Sequence, residues 1–306
     1  MAGRTGVDAV GRVVTAMVTP FAADGTLDAV GAATLAAHLV ATGSDGIVVG
    51  GTTGESPTLR DEELWEVVAA VRDAVGDGAR VVVGTGTNDT ARTVERTLRA
   101  AEAGADAALV VTPYYNRPSQ VGLRAHFRAV AGATDLPLLL YDIPSRTGRE
   151  LAPATLVDLA EVPTIVGVKD ATGDLGKAGD TLVATTGAPG GFAIWSGSDE
   201  VNLPLLALGA VGVVSVAAHL AGPELAETVR VAATDPVRAR TLHLRCLPLH
   251  RALFLEPNPG PLKALLALRG LPAGPVRPPL AAPSSEVVAA GRVALEAVEA
   301  ARGDVA

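Results

Sequence analysis

The chain has 306 residues, 48% of them hydrophobic but only 3% aromatic, so its core is built from Ala, Val and Leu. A net charge of −8 argues against a nucleic-acid partner, whose phosphates call for a basic face. The single cysteine, Cys246, allows no internal disulfide, and MAGRTGVDAVGR has no apolar leader, so a reducing, cytoplasmic setting is expected.

In chain order, short apolar runs recur: VVTAMVTP from Val13, GIVVG from Gly46, RVVVGTG from Arg80 and AALVVTP from Ala107. PLLLYDIP from Pro137, TIVGVK from Thr164, FAIWSG from Phe192 and VGVVSV from Val211 follow. Runs this apolar, without polar alternation, suit strands covered on both faces, as in a parallel sheet. Helical patterns lie between them. TARTVERTLRAAEAG, for example, opens on a candidate cap at Asn88-Asp89-Thr90 and closes on Gly104. LPLLALGAVGVVSVAA (203–218) is the most apolar stretch. Its proline and glycines suit a helix end, a turn and a buried strand rather than a membrane span, so no membrane partner is expected.

Eight strand–helix units predict an α/β fold, a (β/α)8 TIM barrel. A doubly wound sheet fits less well, because GTGTN at 84–88 has Asp89 where a dinucleotide fingerprint needs its third glycine. After about residue 234 the alternation gives way to helices over 236–254, 258–269 and 284–302, with PAGPVRPPLAAP as an ordered connector. The expected division is 1–234 for the barrel and its active site, and 235–306 for a C-terminal helical extension that caps or assembles it.

A barrel carries its chemistry at the C-terminal ends of its strands. Those ends read GGTTGES (50–56), TPYYN (112–116), YDIPSRTG (141–148), VKDATG (168–173) and SGSDE (196–200). Lys169 ends the apolar run IVGVK, although a lysine is almost never buried unless paired. One reading pairs it with Asp170 or lets it snorkel to the rim. The other makes it a Schiff-base nucleophile, since desolvation favours the neutral amine that attacks a carbonyl. The neighbouring ends supply what such an amine requires. Tyr141 and Tyr115 are hydroxyls able to shuttle protons, or tyrosines that merely pack. Thr52 and Thr53, among Gly50, Gly51 and Gly54, make a turn whose N–H groups can hold an anion, or simply a tight turn with a cap. Arg146 can bind a second carboxylate through two parallel N–H bonds of its guanidinium, or form a surface ion pair. The five histidines (His38, His126, His219, His243, His250) form no ligand pair at useful spacing, so no metal is expected.

With GGTTGES, VTPYYNRPSQ, YDIPSRTG, VKDATG, SGSDE and EPNPGPLK (256–263) in this order, the chain resembles the dihydrodipicolinate synthase family from about Thr15 to about Leu280. The resemblance implies a class I, Schiff-base-forming lyase that condenses pyruvate with aspartate 4-semialdehyde, in the diaminopimelate route to lysine, without cofactor. It makes Lys169 the imine-forming residue and Tyr141 the proton donor and acceptor, with Thr52 and Tyr115 completing the relay. Tyr115 would reach in from the neighbouring subunit of a tight dimer, within a homotetramer. Thr53 would hold the pyruvate carboxylate and Arg146 that of the aldehyde, while Gly197 and Val214 would line the pyruvate pocket. Sister pyruvate aldolases, acting on N-acetylneuraminate or 2-keto-3-deoxy sugar acids, are the alternative, and they resemble the chain least at SRTG. In lysine-inhibited relatives an effector pocket uses residues matched here by Ser56, Asn88 and Tyr114. Asp61, Leu64 and Arg92 stand where its histidines and glutamate would be, so weak or absent inhibition is expected.

Overall fold

A computed structural model describes residues 6–303. Each of the eight apolar runs forms a strand: β1 (Val13–Ala16), β2 (Gly46–Val49), β3 (Arg80–Gly84), β4 (Ala107–Val111), β5 (Leu138–Asp142), β6 (Ile165–Asp170), β7 (Ala193–Ser196) and β8 (Gly212–Ser215). They close a barrel in chain order, with helices between successive strands. The (β/α)8 expectation holds, and for the expected reason. Every residue of β1, β2, β5, β6, β7 and β8 is buried, so alternation could not appear in their sequences.

Several helices begin at a short polar side chain that caps them, as at Asp28, Asp89, Ser119, Asp174 and Asp235. Asp89 caps the helix Thr90–Glu102 by accepting from the Ala91 amide, and Gly104 follows at φ 76°. The apolar stretch 203–218 resolves into the helix Asn202–Leu208, Gly209 at φ 120°, and β8. No helix among the described residues is long and apolar enough to cross a membrane. The three expected C-terminal helices are present as Pro236–Ala252, Gly260–Leu268 and Ser285–Gly303.

The described residues divide into two compact units. One comprises Arg80–Val214 with the described residues up to Arg12, and carries the paired strands β3 to β7 with the start of β8. Its N-terminal helix, Gly6–Val10, is followed by Gly11, whose carbonyl accepts from the buried Trp195 indole at 2.8 Å.

The other unit comprises Val13–Ala79 with the described residues from Ser215. Here the C-terminal segment is built into the stretches that follow β1 and β2. Gly274, at φ 66°, passes so close to the Phe21 backbone that no side chain would fit. Arg277 donates to both oxygens of Glu63 at 2.8 and 2.7 Å and stacks on the Phe21 ring. That pairing holds the Glu63 carboxyl down at about 2. Lys263 and the Arg277 amide both meet the buried Glu55 carboxylate, at 2.6 and 2.8 Å. His219 is likewise structural, its ring nitrogens bonded to the Val18 amide and the Val216 carbonyl.

Candidate active site

Strand pairing brings the central residues together. Tyr141 on β5 and Lys169 on β6 are register partners, and Lys169 pairs in turn with Trp195 on β7. Only 5% of Lys169 and 4% of Tyr141 is exposed. The ammonium nitrogen lies 4.3 Å from the Tyr141 ring centre. Among the described residues Lys169 forms no ion pair. The Asp170 carboxylate turns away and accepts from the Thr172 amide and hydroxyl at 2.8 and 2.6 Å. The pairing with Asp170 is therefore not what keeps this amine inside. Gly197 makes room for it, since a Cβ there would sit 2.9 Å from both Cγ and Cε of Lys169. The Gly197 amide is fixed by donating to the Asp170 carbonyl at 2.7 Å. Val214 is buried in β8, with 1% of its surface exposed.

The loops after β4 and β5 carry the two exposed candidates of this unit. Tyr115 is 89% exposed with φ at 70°, the centre of a tight turn in which the Asn116 amide donates to the Tyr114 carbonyl at 2.8 Å. Such a conformation costs a non-glycine residue on the order of 1–3 kcal/mol, so the surroundings must impose it. Asn116 donates to the Asn88 carbonyl at 2.8 Å, and Arg117 donates to the Gly148 carbonyl at 3.2 Å. Arg149 returns a bond to the Arg117 carbonyl at 3.2 Å, so the two loops brace each other. Arg146 lies exposed on the short helix Pro144–Thr147, which Gly148 closes at φ 68°.

Behind them stands a pair that the sequence reading passed over. Lys177 and Asp142, both buried, form an ion pair at 2.6 Å. Burial pushes the Asp142 carboxyl up, against the pull of Lys177. A carboxylate directly after Tyr141 at a buried strand end was the available signal.

In the other unit the GGTTGES turn leaves Thr52 half-buried and Thr53 buried. Thr53 Oγ1 accepts from Asn258 Nδ2 at 3.0 Å, which leaves the threonine hydroxyl hydrogen free to donate elsewhere. Asn258 belongs to EPNPGPLK, a stretch that marks the resemblance but to which the sequence reading gave no role.

Residues 9–298 match the dihydrodipicolinate synthetase family. A 4-hydroxy-tetrahydrodipicolinate synthase of Moorella thermoacetica is 52% identical over 277 residues, 90% of this chain and 94% of the relative. Among solved structures, the enzyme of Cyanidioschyzon merolae with lysine bound superposes with a TM-score of 0.92 at 44% identity, covering 95% of this chain and 99% of that one. The chloride-inhibited enzyme of Acinetobacter baumannii complexed with pyruvate gives 0.91 at 40% identity, over 94% and 98%. On this evidence the chain belongs to the dihydrodipicolinate synthetase family.

Proposed function

We infer that the chain is a 4-hydroxy-tetrahydrodipicolinate synthase, a lyase that condenses pyruvate with aspartate 4-semialdehyde. The observation that carries this reading is Lys169, a buried amine without an ion pair, set against Tyr141 in a space that Gly197 keeps clear. A relative named 4-hydroxy-tetrahydrodipicolinate synthase at 52% identity supports it, and the substrate pair is the one the family resemblance implies.

In the proposed mechanism the Lys169 amine attacks the ketone carbon of pyruvate and expels water, giving an imine. Tyr141 delivers and removes the protons of that exchange, with Thr52 and Tyr115 completing the relay. The imine draws electrons from the neighbouring methyl group, which loses a proton to give an enamine. The enamine carbon attacks the aldehyde, and the amino group of the second substrate displaces Lys169 as the ring closes. Thr53 holds the pyruvate carboxylate and Arg146 the carboxylate of the aldehyde, while Gly197 and Val214 line the pocket.

A homo-oligomer, at least a tight dimer and by resemblance a homotetramer, belongs to the same proposal. Its support is Tyr115, a tyrosine held in a strained turn and almost fully exposed on one chain, as a residue aimed at a neighbour would be. The cytoplasmic setting rests on the lone cysteine, and residues 235–306 as one helical region on the end of the strand–helix alternation at about residue 234.

The test is pyruvate consumption by the purified protein with aspartate 4-semialdehyde and a panel of other aldehydes. Selective turnover of the semialdehyde to a cyclic product is expected. Turnover of a sugar aldehyde instead would reassign Arg146 and leave Lys169 in place.

A further inference from the structure

Side chains alternate across a strand, so Asp142 and Asp170 project opposite to Tyr141 and Lys169, toward the surrounding helices. Asp142 is only 1% exposed, and one of its oxygens does two things. It accepts from Lys177 Nζ at 2.6 Å and from the Leu151 amide at 3.0 Å. Chain positions 142 and 151 are the two ends of the loop that carries Arg146, so a single carboxylate ties that loop shut. Lys177 Nζ also stands 3.6 Å from Glu150, one residue before the closing bond. Lys177 is itself fixed, because Asp174 caps its helix by accepting from the Lys177 amide at 3.0 Å. Inside the loop, the buried Thr147 hydroxyl bridges the carbonyls of Ile143 and Arg149, at 3.0 and 2.6 Å.

A buried ion pair is a poor stabiliser, since the cost of desolvating two charges offsets most of their attraction. What it does well is fix geometry, because either charge left alone inside would be strongly unfavourable. The neighbouring features match that role. Beyond each other, the side chains of the pair bond to the Arg146 loop, at the Leu151 amide and at Glu150.

We propose that Asp142 and Lys177 are positioning residues for Arg146, holding the loop 143–151 so that its guanidinium meets the carboxylate of the second substrate. The proposal rests on the reading of Arg146 given above and names what sets its aim. A displacement of about 1 Å in such a group can cost on the order of 100-fold in rate.

The test compares Lys177→Met, Lys177→Arg and Asp142→Asn with the parent and with Arg146→Ala, all confirmed folded by circular dichroism. Asp142→Asn serves if Lys177→Met does not fold, because the amide oxygen still accepts from Leu151 while the charge pairing is lost. Two quantities are read: the pyruvate adduct trapped by borohydride, and KM for each substrate. The expected result is a full adduct and a pyruvate KM within about twofold of the parent, with KM for the semialdehyde raised by roughly 10- to 100-fold. Lys177→Arg should recover most of it. An unchanged semialdehyde KM in both charge-removing variants, or an equal rise for both substrates, would overturn the proposal. If Arg146→Ala itself leaves semialdehyde turnover intact, the reading of Arg146 fails, whatever Lys177 does.

Discussion

Lys169 and Tyr141 face each other across the β5–β6 pairing, the amine 4.3 Å from the ring centre, and both are shut off from solvent. Backbone pairing sets this proximity, so it needs no flexible side chain to find its partner. A lysine so placed, with no ion pair among the described residues, fits the nucleophile's role proposed for it.

Lys169→Ala should therefore abolish imine formation and leave the barrel folded. Incubation with pyruvate followed by borohydride adds mass to the parent protein and should add none to the variant. An undiminished adduct would move the nucleophile to Lys177 or Lys263, the remaining lysines of the chain.

Gly197→Ala is expected to impair the same step while Lys169 and Tyr141 keep their own side chains. The added methyl would sit 2.9 Å from Cγ and Cε of Lys169 and 3.0 Å from Ala171 Cβ, so the lysine side chain must leave its place beside Tyr141. Adduct formation should slow by on the order of 100-fold, measured by quenching at timed intervals. A parental rate would mean that Lys169 swings clear of Gly197 before it reacts.

Arg146→Ala should separate the two substrates. Loss of a charge-assisted pair removes roughly 10- to 100-fold from kcat/KM for the semialdehyde, with the pyruvate adduct intact. Near-parental turnover in a steady-state assay would point to a different second substrate.

His126 gives a pH dependence that can be read from stability alone. Its ring is buried, Nδ1 meets the Thr90 hydroxyl at 2.9 Å, and Nε2 has no hydrogen-bond partner among the described residues. Burial lowers its pKa from 6.5 to about 4. Between those values the unfolded chain binds the proton and the folded chain does not, so stability present above pH 6.5 is lost as pH falls toward 4. About 2 kcal/mol of that loss falls between pH 7 and pH 5. Urea denaturation at the two pH values, on the parent and on His126→Leu, should show this share disappear in the variant. An equal pH effect in both would clear His126 of it.

L-Lysine should inhibit weakly or not at all. Arg92 is exposed at a position where, by resemblance, an effector pocket has a carboxylate, and Leu64 is buried with no polar group to offer. Strong inhibition at millimolar L-lysine in a rate assay would show that other residues take over the contact.

The barrel was legible because parallel strands buried on both faces write themselves as unbroken apolar runs. Lys169 was legible because a charge at the end of such a run stands out. The pairings around the site were not. Lys177 reaches Asp142 across 35 positions, and Asn258 reaches Thr53 across 205, so no local pattern connects them. The same limit hid the orphaned nitrogen of His126, whose solitude depends on what the fold fails to bring near. Tyr115 was legible as a tyrosine after a strand, but its strained turn follows from bonds to Asn88 and Gly148, which only the folded loops provide.

The GGTTGES turn precedes the residues that support it by 205 positions or more in the chain. Asn258 steadies Thr53, while Lys263 and Arg277 grip Glu55 from as far as 222 positions downstream. A nascent chain could complete every strand of the barrel and still lack the side chains that hold this turn. The shape of the turn around Thr53 is therefore decided by residues that follow the last strand, so the barrel and this turn are separable in the order of synthesis.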